Sequence, residues 1–165
     1  MIRRSLALTA LLLSACGPAP LAGDGVDLRL VVSRGLLDEL SAFQIAVVTR
    51  GASLDCVAVQ QRCLKDQVDA SRLVPLRDAS GATRSALRLP LSLTPGSPNT
   101  QATTLRDLPV GRDFALVIEA ITRDVTPRLA GSSCTYVKTL NAGVNPAVVA
   151  KIERLATPAD CDPSL

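Results

Sequence analysis

The sequence predicts an all-β protein, an antiparallel β-sandwich of about seven or eight strands, and three observations carry that expectation. Apolar residues alternate with polar ones in several short runs, turn chemistry separates those runs, and helical patterns of about 10 to 15 residues do not interleave them. Such spacing argues for strands joined by hairpins and short connections rather than for βαβ units.

The first element is a leader. Met1-Ile2-Arg3-Arg4 gives a positive start, Ser5 to Leu13 an apolar segment, and small residues close it, the pattern of a processing signal. A membrane-spanning helix needs about 20 apolar residues, and this run ends well short of that. Its last four residues, Leu13, Ser14, Ala15 and Cys16, resemble residue by residue the lipobox of bacterial lipoproteins. The resemblance implies cleavage between Ala15 and Cys16, a diacylglyceryl thioether on the Cys16 sulfur, and a membrane as the first partner. Two acyl chains anchor stably where one binds only marginally, since each buried methylene contributes about 0.8 kcal/mol. An ordinary secretory signal cut near Ala19 or Ala22 is the alternative. Pro18 stands where an Asp would resemble an inner-membrane retention signal, which points to the outer membrane of the cell envelope.

Three segments follow from this: residues 1–15 as signal peptide, 16–25 as lipidated tether and 26–165 as one sandwich domain. The tether, "GPAPLAGDG" from Gly17 to Gly25, lacks apolar periodicity and is dense in Gly, Pro and Ala. As a flexible coil, nine such residues reach roughly 15 to 18 Å, which keeps the domain close to the bilayer. Removing the leader leaves 150 residues, enough for one core. The formal charge of +3 falls to near +1 once Arg3 and Arg4 are gone. With no basic cluster and only Phe43, Phe114 and Tyr136 for stacking, no nucleic acid is expected as a partner.

In "VDLRLVVS", Val26, Leu28, Leu30 and Val32 share one face, and in "FQIAVVTR" so do Phe43, Ile45 and Val47. Between them "GLLDEL" offers Leu36, Leu37 and Leu40 either as exposed contacts or, the better reading, as a short core helix. "SLDCVAVQQRCLKD" permits a short helix near residues 53–62, with Ser53 as cap. "ALRLPLSL" alternates most cleanly, and Pro90, having no amide hydrogen to donate, places that strand at a sheet edge. Further strands are expected over Arg72 to Leu76, Ala102 to Arg106, Asp113 to Arg123 and Cys134 to Leu140, with turns at "DASG", "TPGSPN", "DLPVG" and "LAGSS". "DFALVIEAITR" is apolar on both faces, as a central strand covered on both sides would be.

Residues 146–155, "PAVVAKIERL", remain open between two forms. Asn145 as cap, Pro146 at the first position and Val148, Val149, Ile152 and Leu155 in helical spacing favour a helix. Against that, "LPVGRDFALVIEA", "CTYVKTLNAG" and "AVVAKIERL" together resemble the last three strands of bacterial immunoglobulin-like or prealbumin-like sandwich domains. Leu108, Pro109, Gly111, Ala142 and Gly143 carry the match, over about a third of the chain, and Phe114 stands where that family usually has Tyr. The resemblance implies a closing strand.

With Cys16 lipidated, Cys56, Cys63, Cys134 and Cys161 remain, an even number in an exported chain, and two disulfides are expected. Spacing favours Cys56 with Cys63 and Cys134 with Cys161. A continuous helix would hold Cys56 and Cys63 about 10.5 Å apart, so that pairing requires the helix to break. The chain has no His and no CxxC spacing, so no metal is expected, and no cofactor.

The absence of His also removes the commonest general base and any Ser-His or Cys-His pair. Lys65, Lys138 and Lys151 are available for a Ser-Lys dyad, and Asp38-Glu39 and Asp160-Asp162 are carboxylate pairs, but no motif supports them, and a calcium loop around Asp160 lacks its ligand run. The expected function is therefore non-catalytic: a membrane-anchored envelope lipoprotein presenting its sandwich to another envelope protein. An exported glycan-binding module is the alternative, handicapped by 2% aromatic residues and no Trp; an enzyme comes third.

Overall fold

The computed structural model describes residues 25–93, 96, 99–161 and 163–165. The lipobox Leu13–Cys16, nearly all of the 16–25 tether and most of the "TPGSPN" turn lie outside the described residues.

Among the described residues nine strands form, in the order β1 (Val26–Val32), β2 (Leu40–Thr49), β3 (Leu76–Arg77), β4 (Thr83–Arg84), β5 (Leu87–Pro90), β6 (Thr100–Leu105), β7 (Gly111–Thr122), β8 (Leu129–Leu140) and β9 (Val148–Ala159). Seven make one sheet in the order β5-β2-β7-β8-β9-β1-β6, while β3 and β4 form a separate ribbon. The large sheet curls on itself because β9 is shared: Val148–Ile152 pairs with β1, and Glu153, Arg154 and Ala159 pair with β8. The two ends of the sheet meet around one core, an all-β, sandwich-like architecture.

The expected antiparallel arrangement holds except at one place. β1 and β9 run parallel, Leu28 opposite Val148 through Val32 opposite Ile152. That pairing also decides residues 146–155 in favour of a strand. Ala150 and Ile152 are buried and Val149, Lys151 and Glu153 exposed, so period two prevails over local helix preference once β1 offers a free edge.

The core between the two halves of the curl takes Leu28 and Leu30 from β1, Phe43 and Ile45 from β2, and Leu116 and Ile118 from β7, all fully enclosed. Each such side chain contributes about 1.5–3 kcal/mol relative to exposure. Leu36 and Leu40 belong to this core as well, Leu36 within a one-turn helix α1 (Arg34–Leu37), and Leu37 packs against it, so the leucines of "GLLDEL" serve the core rather than a contact surface. β5 is an edge strand with Pro90 exposed, as its missing donor requires.

Two expectations are corrected. Arg72 to Leu76 is not a strand: Ala70–Arg72 is a 3-10 turn, Leu73 makes a single bridge to Val48, and β3 begins only at Leu76. "LAGSS" is not a turn but the first half of β8, where Gly131 opposes Ala120 and lets β9 approach so closely that a Cβ would lie 2.4 Å from the Glu153 carbonyl oxygen. The reversal falls instead in residues 123–128, closed by Thr122 and Arg128 and by an Asp124–Arg128 ion pair of 2.8 Å.

Candidate functional site

The outer face of β2, β7 and β8 is not left to solvent. Residues 51–72 cross it, through a 3-10 turn (Gly51–Ser53), the short helix α2 (Cys56–Val59) and a second 3-10 turn (Leu64–Asp66). α2 starts at Asp55, whose Oδ1 accepts from the amides of Val57 and Ala58 at 3.0 and 3.2 Å, the usual satisfaction of free N–H groups at a helix start. The short helix expected near residues 53–62 is therefore present as one turn, capped by Asp55 and not by Ser53, which ends the preceding 3-10 turn. Arg72 clamps the two ends of the crossing: its guanidinium donates to the carbonyls of Thr49 and Arg50 and to the Ser53 hydroxyl. Val59, Leu64 and Val68 pack down onto Ala46, Val48, Ala115 and Val117.

Beneath this cover a polar row runs across the sheet, with Gln44 opposite Glu119 and Glu119 opposite Ser132. Glu119 is 1% exposed. Its Oε1 accepts from the Leu64 amide and its Oε2 from the Gln44 side-chain amide, both at 2.8 Å. Gln44 reaches on to the C-terminal residues, donating to the Pro163 carbonyl and accepting from the Leu165 amide. Burial pushes the Glu119 carboxyl above its ordinary range; the Leu64 and Gln44 donors and Lys65 oppose the rise, and Asp66 adds to it. The Ser132 hydroxyl, fully buried, has no hydrogen-bond partner among the described residues. The row lies beneath a cover held down by two disulfides.

Those bonds correct the expected pairing. The disulfides are Cys56–Cys134 and Cys63–Cys161, with Cα separations of 5.5 and 6.1 Å. Because the crossing segment lies flat on the sheet, each of its cysteines meets a sulfur beneath it, one on β8 and one on the C-terminal tail, before it meets the other along the chain. Cys63, Asp66 and Cys161 lie within 4.8 Å of one another, but the two sulfurs are spent on the S–S bond, and the thiolates that a metal would need are not there.

The other candidate residues are scattered. Glu39 forms an ion pair with Arg154 at 2.5 Å, beside the exposed Asp38; Lys65 sits in the crossing segment, Lys138 on β8 and Lys151 on β9. Asp160 is exposed, and Asp162 lies outside the described residues. Among the described residues, Glu39, Lys138 and Lys151 stand in separate parts of the fold.

A second feature is open. The ladder between β8 and β9 ends at Ser132, and from Ser133 to Leu140 the outer edge of β8 has no strand partner among the described residues. Among the described residues, the stretch Val148–Ile152 of β9 is paired only on its β1 side. Between them lies a mostly apolar hollow of about 370 Å³ lined by Val26, Tyr136, Val137, Leu140, Pro146 and Val148 together with four polar residues, Lys138 and Asn145 among them. Tyr136 is 49% exposed at its rim.

No family model, no curated protein and no solved structure matches the chain. Sequence reasoning passed over Gln44, Glu119 and Ser132. One signal was available for Glu119: a lone carboxylate inside "DFALVIEAITR", a run otherwise apolar on both faces, demands buried donors.

Proposed function

We propose that this protein is a non-catalytic lipoprotein of the cell envelope, held to a membrane through Cys16, whose immunoglobulin-like sandwich presents a surface to another envelope protein. The lipobox tetrad Leu13-Ser14-Ala15-Cys16 supports the anchor, and two disulfides suit an oxidising compartment. The observation that carries the interaction reading is the open seam between β8 and β9. Two strand edges that lack each other as partners, beside an apolar slot, suit an extended segment of a partner, which would gain main-chain hydrogen bonds along the edge and seat side chains in the slot. The edge is long and carries no proline between Ser133 and Leu140, unlike β5.

Photo-crosslinking in intact envelopes tests this. A reactive residue at Tyr136 is expected to trap one defined protein, and the same residue at Val125, in the far hairpin, is expected not to. Lipid adducts alone at Tyr136, together with binding to a glycan array, would replace this reading with the glycan-binding one.

A further inference from the structure

The point at which the N-terminal segment leaves the fold is fixed. The Gly25 amide donates to the Gly143 carbonyl at 3.2 Å, and its own carbonyl accepts from Asn145 Nδ2 at 3.1 Å. Its φ is +150°, and a Cβ there would lie 2.1 Å from the Leu105 carbonyl oxygen, so only glycine passes. Gly25 thereby belongs to one end of the sandwich, built from residues 106–110 and 141–147, whereas the 123–128 reversal stands at the other end of β7 and β8. Twelve residues of strand place those two ends about 40 Å apart.

Cys16 is nine residues before Gly25, and whatever path the chain takes, that length spans at most about 30 Å. The end from which the chain leaves toward Cys16 also carries exposed apolar side chains. Val110 and Val144 are 67% and 66% exposed, and Val110 borders a hollow of about 240 Å³ lined equally by apolar residues such as Leu108 and Ala142 and by Asp107, Asn141 and Asn145. The charges near these loops are close to balance, Arg106, Arg112 and Lys138 against Asp107 and Asp113, so the attraction on offer is mainly apolar. At the opposite end Val125 stands alone among Arg123, Asp124 and Arg128.

We infer that the end carrying Gly25, with Val110 and Val144 foremost, seats on the bilayer surface and turns the 123–128 reversal away from it. This rests on the lipid anchor proposed above. The occupant of the surface is the membrane itself, because the anchored chain delivers this end, and no other, within a short covalent reach of it.

The chain has no tryptophan, so single reporters are clean. Val110→Trp, Val144→Trp and Val125→Trp variants of the full acylated chain are placed in vesicles of phosphatidylethanolamine and phosphatidylglycerol, with and without lipids brominated on their acyl chains. All three positions are exposed, and unchanged urea midpoints confirm the fold of each variant. The Val110→Trp and Val144→Trp proteins are expected to emit further to the blue on vesicles and to lose emission severalfold to brominated lipid, and the Val125→Trp protein to do neither. Water-like emission from all three, or equal quenching of all three, in preparations that still float with the vesicles overturns the orientation and leaves the anchor standing. Preparations that do not float overturn the anchor, and the orientation with it.

Discussion

Glu119 holds its proton more tightly in the folded chain than out of it, because enclosure disfavours the charged form more than two donated hydrogen bonds favour it. The sign follows from linkage. A folded-state value raised above the ordinary 4.5 makes its contribution to stability complete below that pH, and the contribution is lost as pH rises from there through the folded value. Asp69, Asp78 and Asp124 move the other way, Asp78 to about 2 through its Ser80 and Arg84 partners, so their effects fall below pH 3.8 and leave the Glu119 window clear. Unfolding free energies of the native chain from urea titrations, measured from below pH 4.5 to neutrality, are expected to decline by no more than about 1.4 kcal/mol per pH unit, the limit for one proton. Glu119→Gln is expected to remove that decline while weakening the contact to Gln44; an unchanged pH profile would mean that another group titrates there. The polar row was legible in part. Glu119 announces itself as an acid in an apolar run, but Gln44 and Ser132 meet it only through strand register, which sequence does not print.

At the scale of elements, the crossing segment behaves as a lid fastened on both sides. Cys56–Cys134 encloses 78 residues of sequence separation and Cys63–Cys161 encloses 98, and in the chain-entropy model loops of that size each restrict the unfolded chain by about 4.5 kcal/mol. The loops overlap, so the two contributions do not add. Replacing Cys63 and Cys161 together by serine is expected to cost about 2–5 kcal/mol and to raise hydrogen exchange first in residues 159–165 and 60–68. The amides of β7, a strand paired on both sides, should keep their protection. Peptide mapping without reductant provides the parallel check, and a Cys56–Cys63 peptide would contradict the geometry described here. That pairing misled at the sequence level because proximity along the chain was the only distance visible; the cover that brings Cys56 to β8 is a long-range contact. Residues 146–155 show the same limit. Their helical spacing is real, yet the β1 edge supplies five parallel pairings that an isolated segment never meets.

For the molecule as a whole, the alternation in β1, β2 and β5 and the doubly apolar β7 were enough to predict an all-β fold with β5 at an edge, since each pattern reports burial directly. How the sheet closes was not readable, because closure depends on side chains that join strands far apart in the sheet order. β5 and β6 end the seven-strand sheet on opposite sides, and the buried Gln101 on β6 connects them. Its Oε1 accepts from the Ser92 amide at 2.8 Å, and its Nε2 donates to the Pro90 carbonyl at 3.1 Å. One side chain thus stands in for a missing ladder, whereas at the β8–β9 seam the comparable pair of bonds, between the Asn145 side chain and the Asn141 main chain, lies in the connecting loop. Gln101→Ala is expected to leave the Ser92 amide and Pro90 carbonyl without their partner, at a cost of about 1–3 kcal/mol for each group that stays buried. Hydrogen exchange should then rise in β5 and the facing half of β2, with β7 and β8 unchanged. A variant whose β5 amides stay as protected as before would show that the Leu87, Leu89 and Leu91 side chains packed on the core hold that edge by themselves, and that the curl does not need Gln101 to stay closed.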